Sequence, residues 1–526
     1  MATTTPFAYT SLEEIEQIHA ELKAGFKTGQ TKSIAFRKYQ LLQLAYLLQD
    51  NAKALEEALT KDLGRPPLES VMMEIGASIS ELMEAYKNVD KWAAPEKPSR
   101  TLNFMFMNPV TYKEPKGVVL IISPFNYPLW LIMSPLAGAI AAGNTVVIKP
   151  AEGCPAIAAL LTEQLPKYID PSFIRIVNGS VAETTKLLDL PWGHILYTGS
   201  GRVGKIVAAA AVKHLTPVTL ELGGKCPVFI DPASDLKLAA KRIVWGKFTN
   251  AGQTCVAPDY ILVPKEAQEK FVKELKTVYA EFYPETAESP PRPAQNTSKM
   301  INQAAWKRVN GLLQASKGTI VCGGEGADED KKFIPPTILQ DVTFEDSLMS
   351  EEIFGPVLPI IPVENLDTGI AYVNANDHPL ALYVFTQNDA LKKKIFSSTL
   401  SGSAVANETI IIPGVSGLPF GGVGGSGYGG YHTGKYGFEI FTHLRASIDT
   451  PSWIDKLLGV RYPPYTDKNL DFIKKNLSQK LPSRPRAPPS GTTASSGARK
   501  WFLLALAVAV VGALTRMKSR VGAIRA

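Results

Sequence analysis

Uninterrupted apolar runs that alternate with helical segments constrain the fold of this chain more than any other feature of its sequence. The first run, Gly117-Val-Val-Leu-Ile-Ile-Ser123, and the second, Thr145-Val-Val-Ile-Lys149, are typical of strands covered on both faces. The alternation continues as helix 154–166, strand 173–177, helix 181–188, strand 194–198, helix 203–214 and strand 217–221. It predicts an α/β fold with a parallel, doubly wound sheet, and a second α/β series follows over about 227–410.

Helices and a short extended region precede this alternation. Apolar residues recur at helical spacing through residues 11–61, and a further helix is expected over 69–92. The Pro-rich segment 95–116 predicts a hairpin or an arm that leaves the body of the protein. A chain of 526 residues is too long for one small core, so two or three domains are expected.

The positive charge of the chain lies in its C-terminal tail. The formal net charge is +7, but residues 478–526 contain nine Lys or Arg residues and no Asp or Glu. Without them, the body holds 47 basic and 49 acidic residues, a net charge of about −2. The body therefore has no excess of positive charge for phosphate backbones, and we expect no nucleic-acid partner.

The tail also contains an apolar stretch. Fourteen consecutive apolar residues, Trp501–Leu514, follow a linker over 478–500 that is rich in Pro, Ser and Thr. As a helix they would span roughly 21 Å, against ~30 Å for the hydrocarbon core of a bilayer, and flanking basic side chains can close much of that gap. We predict a membrane anchor at 501–515; a helix docked onto the body or onto a partner is the alternative.

The cysteines and histidines argue against two classes of site. Four cysteines, Cys154, Cys226, Cys255 and Cys322, lie too far apart for a disulfide framework, which favours a reducing compartment. The six histidines form no HExxH motif and no close pair, so no metal site is expected.

A glycine-rich turn, Gly199-Ser-Gly-Arg-Val-Gly-Lys205, follows the predicted strand 194–198 and opens an alanine-rich helix. Bare amides at such a helix N-terminus attract a pyrophosphate, and a purely structural turn is the alternative. The segment also nearly matches a phosphate loop for ATP, but Ile206 stands where a magnesium-binding Ser or Thr is needed. We therefore exclude an ATPase and keep the other two interpretations.

One cysteine differs from the other three in its surroundings. Cys255 ends the polar run Phe248-Thr-Asn-Ala-Gly-Gln-Thr-Cys255, whose glycine and backbone amides suit a nucleophile that needs a stabilised thiolate. A small buried residue is the alternative for any lone cysteine, and we keep that interpretation for Cys154, Cys226 and Cys322.

Two further polar residues follow buried strands. Glu221 ends the strand 217–221 and precedes two glycines, so it is either a strand-end cap or a general base at a cleft. Asn126 lies in the Pro-framed turn Ser123-Pro-Phe-Asn-Tyr-Pro128, where a rigidly placed amide can donate to an oxyanion. An ordinary turn asparagine is the alternative for Asn126.

Together these residues predict one reaction class. The Cys255 thiolate attacks an aldehyde carbonyl, and the Asn126 amide and the Cys255 backbone N–H hold the oxyanion. Hydride then leaves for a nicotinamide, and water activated by Glu221 hydrolyses the resulting thioester to the acid.

At these residues the chain resembles the aldehyde dehydrogenase superfamily over nearly all of residues 10–450. The resemblance rests on several motifs that occur jointly and in the family's order. They are Pro124-Phe-Asn-Tyr-Pro128, Lys149-Pro-Ala-Glu152, Thr198-Gly-Ser200, Glu221-Leu-Gly-Gly-Lys225, Gly252-Gln-Thr-Cys255, Glu352-Ile-Phe-Gly-Pro356 and Leu418-Pro-Phe-Gly-Gly-Val-Gly424 with Ser426-Gly427.

The resemblance implies a cofactor site. Lys149 and Glu152 would hold the adenosine ribose, and Glu352 with Phe354 the nicotinamide ribose. The pyrophosphate region would lie at three further residues, Gly199, Ser200 and Gly204. A carboxylate such as Glu152 would repel a 2′-phosphate, which favours NAD over the alternative, NADP.

The resemblance also implies an organisation and a homodimer. The NAD-binding domain would comprise 1–97 and 117–222, and the catalytic domain 223–420. Bridging or oligomerisation segments would comprise 98–116 and 421–470, ahead of the linker and the anchor.

Within the superfamily, the chain is most similar to class 3 and the fatty aldehyde dehydrogenases, including fungal apocarotenal dehydrogenases. Tyr127, the run Gly429-Gly-Tyr-His-Thr-Gly-Lys435 and the apolar tail carry this resemblance. One departure is the segment 407–417, which has isoleucines where relatives have histidines and which borders the expected substrate entrance. Substrate shape therefore does not transfer directly.

The resulting hypothesis is a membrane-anchored enzyme, facing the cytosol, that oxidises long-chain hydrophobic aldehydes. The substrate would be a fatty aldehyde or an apocarotenal such as β-apo-4′-carotenal, the precursor of neurosporaxanthin. The membrane would be the mitochondrial outer membrane, the peroxisome, the endoplasmic reticulum or a lipid droplet. The alternatives are a CoA-acylating enzyme, a short-chain aldehyde dehydrogenase and a non-catalytic scaffold.

Overall fold

The structure is a computed structural model that describes residues 8–99, 104–284, 297–477 and 481–484. The chain divides into two compact units, residues 1–449 and residues 450–526. Apart from residues 481–484, the predicted linker 478–500 lies outside the described residues, as does the predicted anchor 501–515.

Helices and strands alternate through most of the first unit. The helices are α1 (Leu12–Lys27), α2 (Ile34–Asp50), α3 (Ala52–Leu63), α4 (Pro67–Ser70), α5 (Gly76–Ala93), α6 (Trp130–Ala142), α7 (Pro155–Tyr168), α8 (Val181–Leu188), α9 (Gly201–Val212), α10 (Leu236–Phe248), α11 (Lys265–Phe282), α12 (Gln303–Ala315), α13 (Leu366–Ala375), α14 (Asp389–Ser398), α15 (Gly434–Ile440), α16 (Asp455–Leu458) and α17 (Asp467–Leu477). The strands are β1 (Val110–Pro115), β2 (Val118–Ile122), β3 (Thr145–Lys149), β4 (Ile174–Ile176), β5 (His194–Thr198), β6 (Val218–Glu221), β7 (Cys226–Ile230), β8 (Pro258–Pro264), β9 (Thr319–Cys322), β10 (Thr337–Gln340), β11 (Val357–Val363), β12 (Ala381–Phe385), β13 (Ser403–Ala406), β14 (Gly427–Tyr428) and β15 (Thr442–Ser447).

The first sheet has the predicted doubly wound form. Its strand order is β14-β6-β5-β2-β3-β4, with parallel pairing from β6 to β4 and an antiparallel edge at β14. β2 lies between β3 and β5, so the chain builds the sheet outward from β2 in both directions. The predicted α/β fold is therefore confirmed.

The apolar strands of this sheet are buried on both faces, which explains their lack of alternation. In β2, Val119 and Ile121 pack into a cluster with α2, α5, α6 and α7. Val118, Leu120 and Ile122 point the other way, into a cluster with α1, α8 and α9. Burial of one such side chain contributes about 1.5–3 kcal/mol, so both faces of the strand stabilise the fold.

The second α/β series forms a second sheet, in the order β13-β12-β7-β8-β11-β10-β9. Its pairing is parallel except at β9, which runs antiparallel to β10. Val228 and Ile230 of β7 pack with α10 and α11, whereas Phe229 between them packs with α12, α13 and α14.

The predicted extended segment 95–116 contributes to a small separate sheet. β1 pairs antiparallel with β15, with Val110 opposite Ser447 and Pro115 opposite Thr442, and one isolated bridge joins Glu96 to Thr111. The two segments that were predicted to bridge subunits therefore meet in one two-stranded ribbon.

The second unit contains α16 and α17, and it exposes large apolar side chains such as Tyr465, Leu470 and Phe472. Across the ranges that the structure describes, no helix is long and apolar enough to cross a membrane.

Candidate active site

Strand ends of the first sheet gather the predicted polar residues at one edge. β2, β3, β5 and β6 are parallel, so their carboxyl ends lie together, and the register pairs Ile122 with Lys149 and Thr198 with Glu221. The order of the strands reverses at β2, and in open α/β sheets ligands bind beyond the strand ends at such a point. With strands about 4.8 Å apart, three strand spacings place Lys149 roughly 14 Å from Glu221.

The glycine-rich turn has the predicted strand–turn–helix form, between β5 and α9. The Ser200 hydroxyl caps α9 by accepting the Val203 N–H at 3.4 Å, and the first N–H groups of a helix have no partner inside it. Gly204 is buried one turn into α9, where an added Cβ would lie 2.9 Å from Leu222 Cδ2. Gly204 therefore allows α9 to pack closely against Leu222. Gly199 and Ser200 lie at the start of α9, where the free N–H groups of the helix suit an anion.

Lys149 and Glu152 form an ion pair just beyond β3. The buried Lys149 Nζ donates to Glu152 Oε2 at 2.9 Å and to the Pro150 carbonyl at 2.9 Å. Burial acts to raise the pKa of Glu152, but the Lys149 ammonium and a backbone N–H outweigh it and lower that pKa. A charged carboxylate thus stands at this end of the strand edge.

Cys255 lies at the end of a tightly wound loop that follows α10. Asn250, Ala251 and Gly252 all have left-handed backbones, with φ of 55°, 52° and 70°. A Cβ on Gly252 would lie 2.2 Å from the Gly355 carbonyl oxygen, so the loop passes directly against the segment that contains Glu352. The Gly-Gln-Thr-Cys motif is therefore shaped by close backbone contact.

The Cys255 thiol is partly exposed, and its pKa is raised to about 12. Burial of its surroundings is the main cause, and the carboxylates of Glu352 and Glu221 add to it. The backbone N–H groups of Cys255 and Val256 act in the opposite direction, as the sequence predicted, but they are outweighed. The thiol therefore holds its proton near neutral pH and needs a base to become a nucleophile.

Glu221 is a suitable base because it is buried and weakly solvated. Among the described residues neither of its carboxylate oxygens has a hydrogen bond of good geometry, and an added Cβ on Gly421 would lie 2.8 Å from its Oε1. Burial raises the pKa of Glu221 well above its ordinary value, and the Gly422 N–H offsets this only in part. A carboxylate in this environment binds a proton strongly.

Asn126 is held by a network that the sequence analysis missed. The carbonyl of Asn126 accepts hydrogen bonds from the Arg65 guanidinium and from Asn250 Nδ2, the latter at 2.9 Å. Arg65 is almost completely buried and lies over the Tyr127 ring, 4.8 Å from its centroid. One carbonyl therefore connects the turn of Asn126 to the loop of Cys255.

Glu74 completes this network. It pairs with Arg65, and its Oε2 accepts the N–H groups of Leu129 and Trp130 at 3.1 and 2.7 Å, at the start of α6. Glu74 lies in a π-helical turn, Val71–Ile75, that interrupts the helix predicted over 69–92. In the sequence, Arg65 lies in the run Asp62-Leu-Gly-Arg-Pro66 between the two predicted helical regions, and nothing there marks it as a site residue.

Glu352 and Phe354 enter the site from the second sheet. The Glu352 carboxylate lies against Gly223, where an added Cβ would be 2.5 Å from its Oε2. Burial and the neighbouring Asp259 raise the pKa of Glu352 to about 8. Phe354 has a φ of 45°, and its ring lies 5.9 Å from the Phe125 ring at 79°.

The structure thus separates the predicted residues into two groups. Cys255 lies within electrostatic range of both Glu221 and Glu352, and Asn126 is tied to the loop of Cys255. The second group extends from there along the strand ends, and its members are Gly199, Ser200, Lys149 and Glu152. A reactive thiol beside a row of polar groups at the strand ends suits an enzyme that uses a dinucleotide.

The model of the aldehyde dehydrogenase family matches residues 2–447. The chain belongs to this family. Aldehyde dehydrogenase family 3 member B1 of Rattus norvegicus is 43% identical over 88% of this chain and 97% of its own length. The dog protein named aldehyde dehydrogenase, dimeric NADP-preferring, is 43% identical over 86% and 98%. Among solved structures, the substrate-bound AldH of Staphylococcus aureus has a TM-score of 0.84 and 39% identity, covering 88% of this chain and 99% of that one.

The enzyme therefore oxidises aldehydes with NAD or NADP, as the sequence predicted. The groups present fit such a cofactor, because the first N–H groups of α9 suit a pyrophosphate and the ion pair of Lys149 and Glu152 has a donor and an acceptor suited to ribose hydroxyls.

We expect Glu352→Gln to increase the reactivity of Cys255 towards iodoacetamide in alkaline solution. The Glu352 carboxylate raises the pKa of the thiol, and it is ionised mainly above its own pKa of about 8. Removing it should lower the thiol pKa and speed alkylation several-fold at about pH 9, with little change at about pH 6.5.

The measurement is the alkylation rate of Cys255 by mass spectrometry across this pH range. Glu351→Gln removes an exposed neighbouring carboxylate and is the matched control, and Cys255→Ser identifies the signal. Equal rates for Glu352→Gln and the parent enzyme at alkaline pH would contradict the expectation.

Proposed function

We propose that the enzyme oxidises long-chain apolar aldehydes, fatty aldehydes or apocarotenals, to carboxylic acids. The supporting observation is the apolar cluster against which the nucleophile packs. Cys255 packs against a cluster that contains Phe248, Ile410 and Phe420, with Ile412 at its margin. Both isoleucines lie in the segment 407–417, which the family resemblance places beside the substrate entrance, and an apolar wall there favours an apolar substrate.

In the proposed reaction, Glu221 accepts the proton of the Cys255 thiol, and the sulfur bonds to the aldehyde carbon. The Asn126 side-chain amide and the Cys255 N–H donate to the resulting oxyanion. A nicotinamide held by Glu352 and Phe354 would supply the hydride acceptor, and loss of hydride from the adduct would leave a thioester on Cys255. Glu221 releases the thiol proton to solvent, and it then takes a proton from the water that attacks the thioester. Return of this second proton to the leaving sulfur frees the acid and restores the thiol.

Glu221→Gln should uncouple the two halves of this reaction. Without the carboxylate, thioester hydrolysis should slow by about 100-fold or more, whereas some thioester should still form at alkaline pH. Intact-protein mass spectrometry after mixing with aldehyde and NAD should show the acyl adduct accumulating on Cys255.

Added coenzyme A distinguishes the CoA-acylating alternative. If the parent enzyme released an acyl-CoA faster than the free acid, the hydrolytic proposal would be wrong. A Glu221→Gln protein that turned over like the parent would also remove Glu221 from the proposed role.

The cofactor would lie along the edge of the first sheet. In this proposal Lys149 and Glu152 bind the adenosine ribose, and Glu352 and Phe354 bind the nicotinamide ribose. Gly199 and Ser200 face the pyrophosphate, with Gly204 allowing the helix to approach. The charged Glu152 disfavours a 2′-phosphate and so favours NAD over NADP.

Glu152→Gln should therefore shift the preference towards NADP. Because it removes repulsion between two negative groups, we expect the ratio of kcat/KM for NADP to that for NAD to rise about 10-fold. Steady-state kinetics with both cofactors measure this ratio. Glu163→Gln is a matched control, because Glu163 is a surface carboxylate on α7 that binds Lys167 and Gln164. An unchanged ratio would exclude Glu152 as the discriminating group.

A membrane location follows from the substrate and the tail. Long apolar aldehydes partition into bilayers, so an anchor at 501–515 on the cytosolic side of an intracellular membrane would hold the enzyme at its substrate. The bridging segments 98–116 and 421–470 would join two such subunits, and the ribbon of β1 and β15 in these segments supports a homodimer.

Activity should rise with aldehyde chain length, and the tail should matter only for the membrane-bound substrate. We expect kcat/KM for hexadecanal and a C35 apocarotenal in vesicles to fall when residues 478–526 are removed, and that for hexanal in buffer to stay unchanged. Ile412→Ser tests the wall separately, and its effect should grow with chain length. The proposal would be wrong if the parent enzyme oxidised hexanal well but oxidised neither hexadecanal nor the C35 apocarotenal.

A further inference from the structure

Glu352 is held through its neighbours in the main chain. The carbonyl of Glu351, just before it, accepts a hydrogen bond from Lys225 Nζ at 2.9 Å. The N–H of Ile353, just after it, donates to Asp259 Oδ1 at 3.2 Å. Both peptide groups that flank Glu352 are thus tied to the same two side chains, Lys225 and Asp259.

Lys225 and Asp259 also bind each other. Lys225 Nζ lies 2.6 Å from Asp259 Oδ2 and donates further to the Leu348 carbonyl at 2.7 Å, so its three N–H groups all have acceptors. The pair is largely buried, with 18% of the Lys225 side chain and 4% of the Asp259 side chain exposed. A buried ammonium group whose three N–H groups are all hydrogen-bonded holds the groups around it in fixed positions.

The run Gly223–Lys225 contacts Glu352 twice. Gly223 lies against the carboxylate, and the Gly224 N–H acts on it as a hydrogen-bond donor. Lys225, the next residue, ties the main chain of the Glu352 segment. One short piece of chain therefore sets both the backbone and the carboxylate of Glu352.

Without this tie, the segment has room to move. A cavity of about 260 Å³ lies beside it, lined by Lys225, Tyr260, Glu351, Glu352 and His378 among others. Arg308 also restrains this segment, because it donates to the carbonyls of Glu352 and Ile353 at 3.2 and 2.7 Å and its Nη1 lies 3.6 Å from the Glu351 carboxylate. Lys225 holds the main-chain carbonyls of Leu348 and Glu351, so its loss would free the main chain on that side to shift towards the cavity.

We propose that Lys225 and Asp259 are positioning residues for the nicotinamide-ribose end of the cofactor and act through Glu352. The inference rests on the proposed role of Glu352. In this proposal the enzyme has two separate sets of positioning residues. Arg65 and Glu74 hold the residues around the thiol, whereas Lys225 and Asp259 hold the segment that binds the nicotinamide ribose.

Two reactions of the same thiol test this division. Hydrolysis of p-nitrophenyl acetate needs Cys255 to form and release an acetyl thioester but needs no nicotinamide, because no hydride is transferred. Aldehyde oxidation needs both Cys255 and the nicotinamide. Lys225→Met should raise KM for NAD by about 10- to 100-fold, as expected for a displacement of about 1 Å, and leave ester hydrolysis within about twofold of the parent rate.

Further variants keep the test decisive. Asp259→Asn, which retains the shape and an acceptor, should raise KM for NAD in the same direction, and it substitutes for Lys225→Met if that protein does not fold. The double variant with Glu352→Gln should be no worse than Glu352→Gln alone, since both act on one contact. Lys394→Met removes a surface lysine paired with Asp367 at 2.5 Å and should change neither reaction.

Each outcome decides the question. An unchanged KM for NAD in Lys225→Met and Asp259→Asn, or a parallel fall in both reactions, overturns the positioning proposal. If Glu352→Gln itself left KM for NAD unchanged, the assignment of Glu352 to the ribose would fail as well. A raised KM in Glu352→Gln with normal values in the other two would overturn only the role of Lys225 and Asp259.

Discussion

The carbonyl of Asn126 is the contact on which the reactive centre depends. It receives Arg65 from the N-terminal helical region and Asn250 from the loop of Cys255, so three distant parts of the chain meet at one oxygen atom. Removing Arg65 would leave Glu74 as an uncompensated buried charge, and a buried pair is costly to break in this way. The arrangement is therefore rigid, which a site that must place an amide against an oxyanion requires.

Gly223 and Gly252 show how closely the second sheet approaches this centre. A side chain on Gly223 would collide with the Glu352 carboxylate, and one on Gly252 with the Gly355 carbonyl. These glycines belong to two different motifs, yet both serve the segment of Glu352. Gly223 is needed mainly because a side chain would not fit there. Gly252, with a φ of 70°, is needed both for space and for its left-handed backbone.

The sequence allowed the elements to be predicted better than their connections. The strand 194–198 has the predicted bounds. A turn precedes this short apolar run and a glycine follows it, so the run can extend in neither direction. Cys255 and Glu221 were found because each carries chemistry at a strand or loop end. Arg65, Glu74, Lys225 and Asp259 act through main-chain groups far away in sequence, and no periodicity or spacing marks such contacts.

Burial raises the pKa values of Cys255, Glu221 and Glu352, so each of these groups holds its proton more strongly than it would in water. Ionising any one of them raises the cost of ionising the next, because their charges repel across a poorly solvated space. Positive charge brought next to these groups would reverse that cost and favour the thiolate. The position of the Glu352 carboxylate, and therefore of the residues that hold its main chain, influences how readily Cys255 loses its proton.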